Sequence, residues 1–322
     1  NYGNYGEGGA SITKFDYENN ELVNSFFYTQ NDGLELLSNI QYACEYNDNI
    51  YMMGNNSDEI IVTDRLFKQT KSGISEGIAK PRYAVGNGDY LYISCLGENP
   101  DWDEMAESYI AKFNVTTNNV EDSISIPGGP EGLAIVDNKL YVALNYADSI
   151  AVVNLNDEST SYIQTPAVSS YFLKDESENL YVSLVSTYSN FSTEAGLGYI
   201  NTTNNSFEGV AQLEGISTEY GSIFAFNSDY SKIYVLTTQY DDNWNLFGSL
   251  SEFDVATETF STLIDDISSP KGVSVNPETN DIYLFLAESV VEGGVMKVYS
   301  ETGDFQEEYA VGNSPIMSLF LN

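Results

Sequence analysis

The chain has 322 residues, with 48 acidic against 12 basic side chains and a formal net charge of −36; a field of that sign repels phosphate backbones and anionic headgroups, which excludes nucleic acid as a natural partner. Histidine is absent, and with it go Ser-His-Asp and Cys-His catalysis and any His-ligated zinc, haem or cobalt. No apolar run is long enough for a spanning helix, and the polar opening Asn1-Tyr2 carries no signal peptide, as expected of a mature chain.

In chain order, Asn1 to Phe27 reads as only the later strands of a sheet, with Ile12 to Asp16 an alternating strand that ends in Asp. A unit then repeats. Ile50-Tyr51, Leu91-Tyr92, Leu140-Tyr141, Leu180-Tyr181, Ile233-Tyr234 and Ile282-Tyr283 each open a short apolar strand behind a polar turn such as Asp137-Asn138-Lys139. An alternating strand follows at Ile60 to Asp64, Ile110 to Asn114, Ile150 to Asn154, Tyr199 to Asn201, Leu250 to Asp254 and Val295 to Tyr299. The tyrosines recur about every 46 residues, the length of four short strands with their turns, and that period divides the chain into about seven units. Period-two alternation without a 3.6-residue period speaks against a helical solenoid. The prediction is all-β: one domain over residues 1–322, a seven-bladed β-propeller. Ser314 to Leu321 repeats the start of a blade, like Ser269-Pro270-Lys271-Gly272-Val273. The N- and C-terminal segments are therefore predicted to share a closing blade, here blade one, with the complete repeats as blades two to seven. One of its strands is nearly missing: stepping back from Ser11 by the spacing of Tyr141 and Ser149 lands on Tyr2, which implies that a few residues upstream of Asn1 were trimmed.

The turn between the second and third strands is longer in blades three, five and six. These insertions, residues 97–107, 186–195 and 239–247, hold both tryptophans, Trp102 and Trp244, with Tyr188, Phe191 and Tyr240. Loop aromatics offer stacking area at low entropic cost, suiting a flat, partly apolar ligand such as a corrin, a sugar ring or a chelate; equally, each could pin its own loop. In a propeller such loops share a face with the starts of the blades, so Lys80-Pro81-Arg82-Tyr83, Pro130-Glu131, Ser170-Tyr171, Glu219-Tyr220 and Pro270-Lys271 are predicted to ring the channel mouth, and Tyr146 joins the candidate set. The basic side chains there could meet amides or carboxylates of a ligand, or neutralise neighbouring carboxylates. Asp101-Trp102-Asp103-Glu104 and Asp241-Asp242-Asn243-Trp244-Asn245 could offer oxygens to calcium, but neither has an established calcium-loop spacing, and they read as solvated loops. No cofactor is required. Cys44 and Cys95 read as buried thiols, with their pairing left open.

The Ile/Leu-Tyr strands, the Pro-x-Gly starts at Pro130-Glu131-Gly132 and Pro270-Lys271-Gly272, and the Asp/Asn-ended third strands resemble the YncE-like, YVTN-repeat propellers. The opening Asn4-Tyr5-Gly6-Glu7-Gly8-Gly9-Ala10-Ser11-Ile12 is similar to that of bacterial outer-membrane lipoprotein propellers, including the cobalamin-binding BtuG type, with Tyr2 where Glu is expected. That resemblance implies a non-catalytic protein, lipid-anchored upstream of Asn1 at the cell surface, which captures a corrinoid for hand-over to a TonB-dependent outer-membrane transporter. Two other functions stay open. One is a protein-binding scaffold. The other is a lactonase-like, metal-dependent hydrolase using Glu131 and Glu219, disfavoured because such sites lean on histidine.

Overall fold

The computed structural model describes residues 1–4, 8–187, 192–216, 223–289 and 291–321. Its strands form six four-stranded antiparallel sheets, each assembled in chain order, over residues 40–74, 81–125, 130–164, 168–212, 224–268 and 270–313. They are blades two to seven of the predicted β-propeller. Among the described residues no helix is long and apolar enough to cross a membrane.

Each Ile/Leu-Tyr pair lies in the second strand of its blade. The aliphatic residues Ile50, Leu91, Leu140, Leu180, Ile233 and Ile282 are fully enclosed, and the tyrosines that follow are buried too. A second strand has neighbours on both edges and packs on both faces, so its sequence is a nearly continuous apolar run. A buried phenol still needs a partner; Tyr141 donates to Asn205 Oδ1 at 2.8 Å.

The first strands share a different device. Their register with the second strand breaks between Ile40 and Tyr42, Pro81 and Ala84, Pro130 and Leu133, Ser169 and Phe172, and Pro270 and Gly272. Such a bulge adds an unpaired residue and re-aims its side chain. In blades three and five a serine of the second strand receives the freed backbone donor: Tyr83 N–H reaches Ser94 Oγ at 3.0 Å, and Tyr171 N–H reaches Ser183 Oγ at 2.9 Å. The Pro-x-Gly starts have a steric cause. A Cβ on Gly132 would lie 2.7 Å from the carbonyl oxygen of Ser170, and one on Gly272 only 2.0 Å from that of Ile316.

The chain forms two compact units: residues 1–57, 61–72 and 219–322 make one, and residues 58–60 and 73–218 the other. The second holds blades three to five. Its core runs through Tyr92, Leu133 and Val142 between blades three and four, and through Tyr141, Ile150, Phe172 and Leu184 between blades four and five. The first holds blades two, six and seven together with a partial blade one. There Lys14–Asp16 pairs with Glu21–Val23, and a short helix, α1 (Phe26–Gln30), follows. Residues 314–321 lie along the first strand of blade seven, with Ser318 N–H donating to Ser274 Oγ at 3.1 Å. Tyr2 N–H donates to the carbonyl of Ser314 at 2.8 Å. Residues at both ends of the chain thus meet in one blade, in which a single strand pair is formed among the described residues.

Cys44 and Cys95 are free thiols. Cys95 is buried as expected, whereas Cys44 is only half-buried; desolvation pushes both up to about 12, which leaves them protonated at neutral pH.

Candidate functional site

Four of the predicted side chains meet in the second unit, on the first strands Pro81–Asn87, Pro130–Val136 and Val168–Lys174. The bulges turn Arg82, Glu131 and Tyr171 toward one another. Arg82 Nε lies 2.9 Å from Glu131 Oε2 and 3.1 Å from Oε1, and Tyr171 donates its hydroxyl to Oε1 at 3.2 Å. The ring of Tyr83 is tilted against that of Tyr171, 6.2 Å between centroids. Glu131 is 2 % exposed. Ser94 fixes its backbone as well, donating to the Glu131 carbonyl at 2.7 Å. Desolvation, reinforced by the adjacent carboxylate, pushes the Tyr171 hydroxyl well above its ordinary value, so it acts as a permanent donor. The Glu131 carboxylate is therefore engaged by both neighbours. Beside this set, the buried Oγ of Ser170 has no hydrogen-bond partner among the described residues.

The aromatic loops are built on another principle. In the second unit, Asp101 Oδ1 accepts the backbone N–H of Asp103, Glu104 and Met105 at 3.2, 3.0 and 2.6 Å, and Oδ2 accepts that of Ala106 at 3.3 Å. Met105 is fully buried and anchors the loop, packed with Tyr146 around Gly129; a Cβ on that glycine would meet the Tyr146 ring at 2.5 Å. Trp102 is left 55 % exposed, with φ 57°. In the first unit, the second and third strands of blade six run on as Lys232–Tyr240 and Leu246–Asp254. The insertion read as residues 239–247 is thus mostly a lengthened hairpin, closed by the turn 241–245. Asp241 Oδ1 accepts the N–H of Asn243 and Asn245, each at 2.8 Å, and Oδ2 accepts the Asn245 amide at 2.9 Å. Trp244 is 74 % exposed with φ 64°, its ring 6.1 Å from that of the exposed Tyr240.

These hydrogen bonds hold both Asp101 and Asp241 below the usual carboxylate value. Of the oxygens considered for calcium, those of Asp101 and Asp241 are thereby used to close turns, and among the described residues no group of three or more Asp, Glu or Cys is placed to hold a metal. Lys271 takes the second position of the blade-seven first strand Pro270–Val275 in the first unit, as Arg82 and Glu131 do in theirs. Tyr188, Phe191, Glu219 and Tyr220 lie outside the described residues. The reading by residue type missed the turn-closing roles of Asp101 and Asp241 and the bridging hydroxyls of Ser94 and Ser183. The first had a signal, since an Asp followed two residues later by a free N–H is an Asx turn.

Several solved structures share the architecture. A quinoprotein alcohol dehydrogenase-like protein from Bacteroides thetaiotaomicron superposes with a TM-score of 0.69 at 12 % identity, covering 95 % of this chain and 74 % of its own. A protein of the 6-phosphogluconolactonase-like type from Bacteroides uniformis gives 0.67 at 10 % identity, over 97 % and 96 % of the two chains. Virginiamycin B lyase from Staphylococcus aureus gives 0.55 at 9 % identity, over 84 % and 83 %. Likeness at this identity shows the propeller fold and leaves chemistry to the residues. No curated protein matches the chain in sequence. A family profile described as "Domain of unknown function (DUF5074)" matches residues 1–313.

Proposed function

Taking as premise that the chain belongs to the DUF5074 family, we propose that it is a non-catalytic ligand-capture protein whose contacts are its exposed loop aromatics. The ligand class is a flat, partly apolar compound, and a corrinoid, cobalamin first, is the one to test. The observation that carries this reading is the state of the two tryptophans, Trp102 and Trp244, each exposed on a left-handed residue behind a turn closed by an aspartate. A bulky residue in that conformation costs about 1–3 kcal/mol unless the surroundings over-determine it, and a largely exposed indole returns little of that through burial. With their backbone fixed by these turns, such loops lose little entropy when a planar ligand covers the rings.

Capture is favoured over hydrolysis by the engagement of Glu131. A general base must reach substrate, whereas this carboxylate is 2 % exposed and is held by Arg82 and Tyr171. Surface anchoring and hand-over to a TonB-dependent transporter rest on the resemblance of Asn4 to Ile12 to the surface lipoproteins. Hand-over also needs a protein contact, and Tyr28 of α1 with Leu34 and Leu37 just after it are exposed apolar side chains that would serve it.

Calorimetric titration with cobalamin tests the proposal. Saturable heat is expected, with affinity at least tenfold weaker in Trp102→Ala or Trp244→Ala; no heat with the unaltered protein ends the corrinoid reading.

A further inference from the structure

Each four-stranded blade ends in a fourth strand with no strand beyond it among the described residues. Five of the six carry charges there: Lys71 in Gln69–Ile74, Glu121 and Asp122 in Asn119–Ser125, Glu208 in Ser206–Gln212, Asp265 and Asp266 in Thr259–Ser268, and Glu307 and Glu308 in Phe305–Asn313. The last four also break register with their third strands at bulges. Charges and bulges of this kind keep an open edge from pairing with another chain.

The fourth strand of blade four, Thr160–Gln164 in the second unit, has neither. Its five residues are uncharged, and its register with Ser149–Asn154 runs without a break from Gln164 to Thr160. Thr165 N–H donates to the Asp148 carbonyl at 3.0 Å and Asn154 N–H to the Ser159 carbonyl at 2.9 Å. An antiparallel ladder alternates bonded and non-bonded pairs. Ser161 and Ile163 therefore bond inward, and the N–H and C=O groups of Thr160, Tyr162 and Gln164 point out of the edge. The strand itself is well anchored, since Ile163 is buried in the core between blades four and five. Tyr162, at its centre, is 56 % exposed.

We infer that this edge is a docking site for an extended polypeptide segment with alternating basic and apolar side chains, which adds to blade four as a fifth, antiparallel strand. The contact is independent of the loop aromatics. Its apolar positions follow from Tyr162, because a β-branched residue opposite an aromatic ring makes a favourable cross-strand pair. Its basic positions follow from charge. Asp148 and Asp157 flank the two ends of the strand, and four basic side chains of this unit are already engaged: Arg82 by Glu131, Lys112 by Glu158, Lys174 by Glu178 and Lys139 by Asn205. A formal net charge of −36 attracts a cationic segment, and it repels a second copy of the chain from the same edge. Pairing over so short a strand also fits transient capture better than a permanent assembly.

The test mixes the whole chain with the capped peptide acetyl-(Lys-Val)3-Lys-amide and reads amide exchange. At saturating peptide, exchange at Thr160, Tyr162 and Gln164 is expected to slow at least tenfold, while Ser161 and Ile163, already bonded inward, change little. Tyr162→Pro removes one outward N–H and spares the inward ladder, because proline is tolerated where its missing donor would face solvent. It should abolish the slowing at Thr160 and Gln164. Tyr162→Lys, which gives this strand the charge its counterparts carry, should do the same without touching the backbone. The inference is overturned by no slowing in the unaltered protein, by equal slowing with acetyl-(Glu-Val)3-Glu-amide, or by slowing that survives both substitutions. Slowing without peptide that grows with protein concentration would give the edge to a second copy and overturn it too.

Discussion

The first-strand cluster of the second unit and the aromatic loops use side chains in opposite ways. Around Glu131 the polar groups are inside, and they satisfy one another: a guanidinium, a carboxylate and a phenol within hydrogen-bond distance. At Trp102 and Trp244 the large apolar groups are outside, on backbone that favours glycine. The cluster explains how three neighbouring strands pack. The indoles explain little about packing, since they would add more to stability if they were buried, and for that reason the proposed function rests on them.

The largest way to break this contrast is Glu131→Ala, which leaves Arg82 buried without its counter-ion. Denaturant unfolding should show a loss of about 3–5 kcal/mol. If the pair is structural, the double replacement Arg82→Met with Glu131→Leu should recover at least half of that loss, because apolar residues of similar volume substitute well for a buried ion pair. A weaker effect is expected at the loops. Trp102→Ala and Trp244→Ala should leave unfolding free energy within about 0.5 kcal/mol of the parent, while costing the tenfold in affinity stated above. Smaller still, Trp102→Gly should be more stable than Trp102→Ala by up to about 1 kcal/mol, since glycine alone takes positive φ without a Cβ penalty.

Acidification tests the loops. Asp101 and Asp241 have carboxyls lowered from 3.8 by the N–H groups they accept. The turn-closing contribution is therefore complete above the ordinary value and is lost as pH falls below it, through the lowered one. Ligand affinity should hold from neutral pH down to about pH 4 and weaken beneath it, as read by titration at stepped pH.

The repeat was legible because a buried second strand needs the same residues each time, and Ile/Leu-Tyr marks every copy. Arg82, Glu131, Tyr171 and Lys271 were legible as first-strand residues, but the contact of the first three was not. It depends on bulges, which change side-chain direction without leaving a residue signature. The blade-six insertion was misread for a related reason: Thr237, Thr238 and Gln239 continue the strand with polar residues, so the apolar alternation fades although the backbone ladder goes on to Tyr240. The closing blade was recognised from Ser314-Pro315, whereas its register needed the hydrogen bond from Tyr2.

Because the chain has only two tryptophans, its indole emission reports the two proposed contact loops and little else. Titrating single-tryptophan forms, Trp102→Phe and Trp244→Phe, with cobalamin and correcting for its absorbance tests the claim most directly. A saturable change in the emission of at least one remaining indole is the predicted result. Emission that follows absorbance alone, with no saturation in either form, would contradict it.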